Sequence, residues 1–227
     1  MDVGAFPGAL SKQLRSAGVV AVLVIDRLAD AVPLANTLID NGINAIELTL
    51  RTEAATAAIA QVRQHVPEMI VGAGTVTNAA MVRQVVDAGA AFGVAPGMNA
   101  TVVRAATEEG LPFGPGVCTP SDIEAAVELG CRLLKFFPAE AIGGVDYLRA
   151  IQGPYAHLGL RFIPLGGINA ANAGAYLNEA SVHCIGGSWI APRELIVKQQ
   201  WEVIGERASQ ARSIVDAVAT ERGYDAQ

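Results

Sequence analysis

Cysteine and histidine are scarce in this chain, and each shortage argues against a class of protein. Three cysteines are present among 227 residues, an odd number without close spacing, which fits reduced thiols rather than a disulfide framework. The three histidines are scattered among different segments, and no Cys/His pair has the spacing of metal ligands. We therefore expect a protein without disulfides, metal or other cofactor.

Excess positive charge and long apolar runs are also lacking. Sixteen lysines and arginines against 22 aspartates and glutamates give a formal net charge of −6 and a pI near 5.1, which argues against nucleic acid or an anionic membrane as the main partner. No uninterrupted apolar run is long enough to span a bilayer, and the first residues lack the features of a signal peptide. We predict a cytoplasmic protein.

Hydrophobic residues, by contrast, make up 52% of the chain, with a mean hydropathy of +0.36. They form eight apolar runs that alternate with Ala-rich helical stretches, with a period of roughly 20–25 residues. The runs cover residues 19–25, 45–50, 70–76, 92–97, 111–117, 133–139, 161–167 and 182–189. This alternation predicts an α/β protein, a (β/α)₈ TIM barrel. A doubly wound open sheet is the weaker alternative because no nucleotide-binding fingerprint is present.

No linker or charge run interrupts the repeat, so we expect a single domain over residues 1–227. An amphipathic stretch over about residues 4–17 predicts a helix that caps one end of the barrel. The last helix is predicted from Pro192 to about Ala219, followed by a polar, disordered tail over residues 220–227.

A lysine inside an apolar run is the most unusual feature. The segment Leu133–Glu140 reads LLKFFPAE, which predicts a short buried strand with Lys135 and Phe137 on one face. Because burial of an unpaired ammonium is costly, Lys135 is either paired or kept as a neutral amine, and a neutral amine is a nucleophile towards carbonyls. The alternatives are a lysine that reaches out from the strand end, or a structural ion pair.

Charged residues also occur in the second run, where Glu47, Thr49 and Arg51 share one face. In a barrel of this kind the reactive groups lie at the carboxyl ends of the strands. We therefore predict that Glu47 and Arg51 point into the barrel mouth. The alternative is a structural ion pair of Glu47 with Arg51 or with Lys135.

Glycine pairs end the last two runs, Gly166-Gly167 and Gly186-Gly187, the latter followed by Ser188. Bare backbone N–H groups at this place are typical of a phosphate site in barrels. No cationic side chain adjoins them, so we predict that binding depends on amides, the Ser188 hydroxyl and the helix dipole.

Several motifs together resemble the 2-keto-3-deoxy-6-phosphogluconate (KDPG) aldolase / 4-hydroxy-2-oxoglutarate aldolase family. The likeness covers residues 12–200 and is carried by IELTLRT (46–52), GAGTV (72–76), APGMN (95–99), GVCTPSD (116–122), LLKFFPAE (133–140) and CIGGSW (184–189). The resemblance implies a (β/α)₈ fold, a homotrimer, and a metal-independent class I aldolase.

The resemblance also implies a role for each candidate residue. Lys135 matches the Schiff-base lysine and Glu47 the general acid/base. Matching residues for substrate binding are Arg51 for the pyruvyl carboxylate, Thr75 beside it, Pro96 and Phe137 in the pyruvate pocket, and Gly166, Gly167, Gly186, Gly187 and Ser188 at the distal phosphate. The reaction implied is cleavage of KDPG to pyruvate and glyceraldehyde 3-phosphate.

One position departs from the family pattern, because Leu165 stands where a threonine usually precedes the glycine pair. A missing hydroxyl near the middle of the substrate leaves the phosphogalactonate epimer and 4-hydroxy-2-oxoglutarate open as alternative substrates. Two further alternatives are a phosphosugar isomerase or synthase and a non-catalytic sugar-phosphate-binding barrel, and neither accounts for Lys135.

Overall fold

A computed structural model describes residues 6–222 as strands and helices in alternation. The strands are β1 (Val19–Leu23), β2 (Ala45–Thr49), β3 (Ile70–Gly74), β4 (Phe92–Val94), β5 (Phe113–Gly114), β6 (Gly116–Val117), β7 (Leu133–Phe136), β8 (Arg161–Pro164) and β9 (Ile185–Gly187). The helices are α1 (Gly8–Ala17), α2 (Ala31–Asp40), α3 (Ala55–His65), α4 (Ala79–Asp87), α5 (Ala100–Glu108), α6 (Pro120–Glu128), α7 (Gly144–Gln152), α8 (Ala173–Leu177), α9 (Arg193–Val197) and α10 (Trp201–Glu221).

The strands form two parallel sheets, in the orders β5-β4-β3-β2-β1-β9 and β6-β7-β8. Pro115 separates β5 from β6 within one apolar run, because proline has no N–H for the ladder. A parallel bridge between Phe162 and Val182 joins β8 to the segment before β9, with His183 N donating to Phe162 O at 2.8 Å. The two sheets are thus joined at Pro115 and at this bridge. With β5 and β6 counted as one strand, they complete the eight-stranded (β/α)₈ barrel that the repeat predicts.

Apolar side chains occupy both faces of the barrel wall. Alternate residues of each strand pack outward against helices, as Ile46 and Leu48 do in β2, because successive side chains of a strand point to opposite faces. A second cluster fills the barrel interior and contains Leu14, Ala17, Val20, Ala45, Phe92, Val94, Leu133, Ile163, Leu165 and Cys184. Leu14 and Ala17 come from α1, so this helix closes the amino-terminal end of the barrel as predicted. Residues 4 and 5 of that predicted helix lie outside the described part.

Side-chain caps position several helices directly after strands. The side chain of Asn78 accepts from Met81 N at the start of α4, and that of Asn99 accepts from Thr101 N at the start of α5. Thr119 and Asp122 form a reciprocal capping box at α6, with proline at the first helical position. These caps define the starts of α4, α5 and α6 at Asn78, Asn99 and Thr119.

The carboxyl-terminal helix differs from its prediction. Two helices, α9 and α10, replace the single helix expected from Pro192, because Gln199 adopts a left-handed backbone with φ of 54° and its Nε2 donates to Asp30 Oδ1 at 2.8 Å. Thr220 and Glu221, which begin the predicted tail, belong to α10, and residues 223–227 of that tail lie outside the described part. Among residues 6–222, no helix is long and apolar enough to cross a membrane.

Candidate active site

Lys135 and Glu47 meet inside the barrel. Lys135 lies in β7 and Glu47 in β2, and the Lys135 Nζ to Glu47 Oε1 distance is 3.1 Å. The two residues are only 5% and 3% exposed. The lysine is therefore paired with Glu47 inside the barrel, and the alternative of a lysine that reaches out from the strand end to solvent is wrong. A buried pair of this kind holds both side chains in place, because each would otherwise be an uncompensated charge.

Gly74 makes room for this pair. It faces Thr49 in the β2–β3 ladder, and a Cβ atom at this position would overlap the Glu47 carboxylate. The GAGTV motif thus leaves space for the glutamate side chain at Gly74.

Cys184 is the buried thiol on the same interior surface. Burial raises the pKa of this thiol to about 12, and the negative charge of Glu47 acts in the same direction. Because the thiolate is the reactive form of cysteine, Cys184 stays a neutral, unreactive group at neutral pH. Cys184 is therefore not a candidate nucleophile, and the amine of Lys135 is the candidate that this interior offers.

Phe137 and Thr49 flank the pair. The Lys135 ammonium lies 5.5 Å from the centre of the Phe137 ring, within the range of a cation–π contact. Thr49 Oγ1 donates to the carbonyl oxygen of Leu23 at 3.0 Å. This hydroxyl supports the β1–β2 connection, so Thr49 shares the face of Glu47 but has a structural partner.

Arg51 lies just beyond the end of β2. The strand is shorter than predicted and ends at Thr49, after which Arg51 N bonds to Thr49 O in a tight turn. The Arg51 side chain is exposed, and its guanidinium makes no ion pair with another described residue. The alternative Glu47–Arg51 ion pair is wrong, because the turn carries Arg51 out of the strand while Glu47 pairs with Lys135. An uncommitted guanidinium beside the barrel mouth is suited to bind a carboxylate.

Thr75 and Pro96 follow the neighbouring strands β3 and β4. Thr75 has a φ of 61°, a left-handed conformation that is unfavourable for a β-branched residue. Pro96 is exposed at the end of β4, and Gly116 of β6 approaches its backbone so closely that a Cβ atom would overlap it. Both residues therefore lie at the carboxyl ends of strands, where the sequence predicts them.

The two glycine pairs require glycine for different reasons. Gly166 and Gly167 have φ values of 96° and 84°, a region that favours glycine. Gly186 and Gly187 lie in β9, where a Cβ atom would overlap Leu165 or Trp189 respectively. The backbone of Gly167 is thus exposed and that of Gly166 partly so, whereas Gly186 and Gly187 are buried next to the exposed Ser188.

The helix dipole contributes less to anion binding at the glycine pairs than the sequence predicts. The helices that follow the glycine pairs begin only at Ala173 and Arg193, and each has five residues. Because dipole effects fall off within the first turn, the amides and the Ser188 hydroxyl are the groups available to a phosphate.

Four residues that support the first glycine pair have no strong sequence signal. Asn169 Nδ2 and Asn172 Nδ2 each donate to Gly167 O at 3.2 Å. The Cβ and Cγ atoms of Glu140 lie where a side chain on Gly167 would be, and the Tyr176 hydroxyl donates to Glu140 Oε1 at 2.5 Å. Glu140 belongs to the LLKFFPAE motif, but nothing near Tyr176 in the sequence indicates this contact.

Within residues 6–222, no group of three or more His, Cys, Asp or Glu side chains could hold a metal ion. The arrangement combines a buried amine, a carboxylate in contact with it, an exposed guanidinium and two bare glycine pairs. Chemically, it can form a carbon–nitrogen bond with a ketone, transfer protons next to that bond, and bind an anion at each end of a substrate.

The chain is similar in sequence to known proteins over most of its length. The family model described as "Aldolase: KDPG and KHG aldolase" matches residues 10–207. A 2-dehydro-3-deoxy-phosphogluconate aldolase of Dickeya dadantii is 45% identical over 202 residues, which are 88% of this chain and 94% of the relative. A KHG/KDPG aldolase of Escherichia coli is 43% identical over 198 residues, 87% of this chain and 92% of the relative.

Solved structures are similar over the same range. The KDPG aldolase of Legionella pneumophila, with pyruvate captured as a covalent carbinolamine intermediate, has a TM-score of 0.84 and 38% identity, and the match covers 88% of this chain and 97% of that chain. The KDPG aldolase of Zymomonas mobilis with 3-phosphoglycerate has a TM-score of 0.82 and 38% identity, with coverage of 90% and 95%.

Proposed function

Because the chain belongs to the KDPG and KHG aldolase family, we propose that it uses Lys135 to cleave KDPG into pyruvate and glyceraldehyde 3-phosphate. It is a carbon–carbon lyase of class I, in which a lysine amine forms a covalent intermediate with the keto acid. The observation that carries the assignment to Lys135 is its buried contact with Glu47, 3.1 Å away, in the barrel interior.

Glu47 has two tasks in the first half of this reaction. As a carboxylate it accepts a proton from the Lys135 ammonium, and the free amine then attacks the C2 ketone to form a carbinolamine. As a carboxylic acid it returns a proton to the carbinolamine hydroxyl, which leaves as water and yields an iminium. The carboxylate lies 3.1 Å from the nitrogen that loses the proton and then bonds to C2. This distance supports both roles of Glu47.

The iminium makes carbon–carbon cleavage possible. Glu47, directly or through a water, removes the proton of the C4 hydroxyl, the C3–C4 bond breaks, and its electron pair moves into the iminium as an enamine. Glyceraldehyde 3-phosphate leaves as the aldehyde. Protonation of the enamine at C3 and hydrolysis of the resulting iminium release pyruvate and restore the amine of Lys135.

Residues around the mouth hold the substrate at its two ends. Arg51 binds the pyruvyl carboxylate, because its guanidinium is exposed and makes no ion pair with another described residue. Thr75 assists at that carboxylate, while Pro96 and Phe137 shape the pyruvate pocket. The backbone amides of Gly166, Gly167, Gly186 and Gly187, together with the Ser188 hydroxyl, bind the distal phosphate.

Reductive trapping tests the assignment of Lys135. The protein is incubated with pyruvate, reduced with borohydride, digested and mapped by mass. We expect one pyruvyl adduct on the peptide that contains Lys135, and none without pyruvate. Lys12 and Lys198 are both exposed. An adduct confined to either of them would be a reaction of a surface lysine and would refute the assignment.

A Lys135→Met variant is the matched control for this experiment. It should give no adduct and lose nearly all turnover. Because the variant leaves Glu47 without its partner, its fold is checked by circular dichroism, and the map of the wild-type adduct remains decisive if the variant does not fold. A phosphosugar isomerase or a non-catalytic binding protein predicts that the variant keeps its function.

We also propose that the chain is a single-domain, cytoplasmic homotrimer. Support for the trimer comes from the family resemblance, and support for the location comes from the thiol and charge composition. Sedimentation equilibrium should give three times the chain mass of 23.5 kDa. A monomer at micromolar concentration would refute the trimer without affecting the assignment of Lys135.

A further inference from the structure

A cavity of about 500 Å³ lies at the amino-terminal end of the barrel, remote from the mouth. It is open to solvent on one side and is lined by α1, by the end of α8, by the segment that precedes β9, and by the second half of α10. Its apolar wall is formed by Leu177, Val182, Val215, Val218 and Ala219. A cavity of this volume, apolar on one side, is large enough for a small organic molecule.

Four cationic side chains also line the cavity, namely Lys12, Arg15, Arg212 and Arg222. They are four of only 16 lysines and arginines in a chain whose net charge is −6. The one carboxylate in the lining, Asp216, already accepts two hydrogen bonds from Arg212, at 2.6 and 3.0 Å. The cavity is therefore a local concentration of positive charge on an acidic protein.

Backbone contacts hold two of these cations in place. Arg212 Nη1 donates to Ala17 O at 3.1 Å, and Arg222 donates to Leu177 O and Asn178 O at 2.9 and 3.1 Å. These neutral carbonyl oxygens position both guanidinium groups without cancelling their charge, and Asp216 offsets only the charge of Arg212. The fixed positive charges can thus attract an anion that enters the cavity.

His183 lies in the cavity wall and is almost fully buried. Its Nε2 is 2.8 Å from Ser11 O, an acceptor, so Nε2 carries the proton. Nδ1 is buried and has no hydrogen-bond partner in the described part of the chain. Burial lowers the pKa of His183, and the charges of Arg15 and Arg161 lower it further against the opposing bond to Ser11. The titration of this ring therefore depends on the charge present in the cavity.

We propose that this cavity is a second ligand site, which binds a small organic anion. The carboxylate or phosphate of the ligand contacts Lys12, Arg212 and Arg222, and its apolar body packs on Val215 and Val218. Charge complementarity and the apolar wall both favour such a ligand over an inorganic ion or a neutral molecule. The site is independent of Lys135, because it lies at the opposite end of the barrel.

Histidine NMR tests the proposal on the full chain. The protein is first reduced with pyruvate and borohydride, or left untreated, so that a pyruvyl group blocks the catalytic amine in one sample. Benzoate and phenyl phosphate are then titrated as probes, with benzyl alcohol as the neutral control. The His183 resonance is assigned by elimination with His65→Gln and His157→Gln, whose parent residues are both exposed.

Both anions should shift the His183 signal saturably and raise the pKa of this ring, whether or not the catalytic amine is blocked. Benzyl alcohol should cause neither change. The anion with the lower Kd identifies whether carboxylate or phosphate is preferred. No saturable shift with either anion, or an equal shift with benzyl alcohol, would overturn the proposal.

Charge reversal at an exposed lysine supplies the matched pair of variants. Lys12→Glu should weaken binding of the preferred anion about tenfold, because it replaces an attractive charge at the cavity by a repulsive one. Lys198→Glu makes the same change directly after α9, outside the cavity lining, and should leave Kd unchanged. Equal affinity in the two variants would place the anion elsewhere and refute the proposal.

Discussion

At the scale of single residues, Lys135 and Glu47 depend on each other. Both are buried among apolar side chains, so loss of either leaves an uncompensated charge in the barrel interior. The sequence identifies both as buried charges from their places in apolar strands. It leaves open which partner each one has, because β2 and β7 belong to different sheets and only the closed barrel brings together these residues, 88 positions apart.

Arg51 illustrates the opposite case. Strand alternation predicts it on the face of Glu47, but the chain turns after Thr49 and the side chain lies in solvent. Where a strand ends depends on the partner strands and the following turn, and local periodicity does not encode this. The same limit applies to Tyr176, whose contact with Glu140 is made between two distant segments.

Leu165 is the residue on which substrate preference should depend. It is buried and packs on Gly186, so it presents methyl groups where a hydroxyl could contact the substrate. In Leu165→Thr, we expect the ratio of kcat/KM for KDPG to kcat/KM for the phosphogalactonate epimer to rise about tenfold, the value of one hydrogen bond. Steady-state kinetics on both epimers measures the ratio.

Leu165→Val serves as the control for this change, because it shortens the side chain without a hydroxyl. Its ratio should stay near that of the wild type. An equal rise of the ratio in both variants would mean that volume, and not hydrogen bonding, controls the preference.

At the scale of elements, Glu140 and Tyr176 connect the end of β7 to α8 beneath the first glycine pair. Burial raises the pKa of the Tyr176 hydroxyl, and the Glu140 contact raises it further, so this group remains a donor at neutral pH. In Tyr176→Phe, we expect KM for the phosphorylated substrate to rise about fivefold, because the Glu140 side chain that packs beside Gly167 loses its hydrogen-bond donor. Initial-rate kinetics gives KM.

The rate of pyruvate trapping by borohydride is the internal control for Tyr176→Phe. It reports on Lys135 without the phosphate and should be unchanged. If trapping slows as much as KM rises, the contact supports the whole site rather than the phosphate end.

The capping box of α6 predicts an acid-sensitive contribution to stability. Burial raises the pKa of Asp122, but hydrogen bonds from Cys118 N, Thr119 N and Thr119 Oγ1 outweigh it and hold the pKa below its ordinary value. A lowered pKa stabilises the fold above the unfolded-state value of about 3.9, and this contribution disappears as pH falls towards the folded-state value. Asp122→Asn should cost about 1 kcal/mol at neutral pH and reduce the loss of stability on acidification.

Urea unfolding across the acid range measures this effect as the free energy of unfolding at each pH. Asp87→Asn, at an exposed position in α4, is the control and should keep the wild-type pH dependence. If the free energy of unfolding falls equally on acidification in Asp122→Asn and in wild type, the role of the capping box is contradicted.

At the scale of the whole molecule, the barrel follows from eight regularly spaced apolar runs, and the capping residues predict several helix starts. The split between α9 and α10 could not be predicted, because it depends on the left-handed backbone of Gln199 and its contact with Asp30. The sequence predicts residues 111–117 as one strand, and the role of Pro115 as a junction between two sheets follows only from the strand order.

Closure of the amino-terminal end contributes directly to global stability. Leu14 of α1 is fully buried in the interior cluster, so Leu14→Ala should lower the free energy of unfolding by about 2–5 kcal/mol. Leu10→Ala, at a partly buried position of the same helix, should cost less. Urea unfolding at neutral pH compares the two, and an equal cost would contradict a special contribution of Leu14 to closure of the barrel end.

Gly74 has a consequence for how sequences of this fold can vary. A side chain at this position would occupy the space of the Glu47 carboxylate, so a glutamate at 47 in this rotamer requires glycine at 74. The two positions therefore cannot diverge independently. A barrel with a small residue at 47 can accept a side chain at 74. In a barrel that keeps the glutamate, any side chain at 74 overlaps the carboxylate.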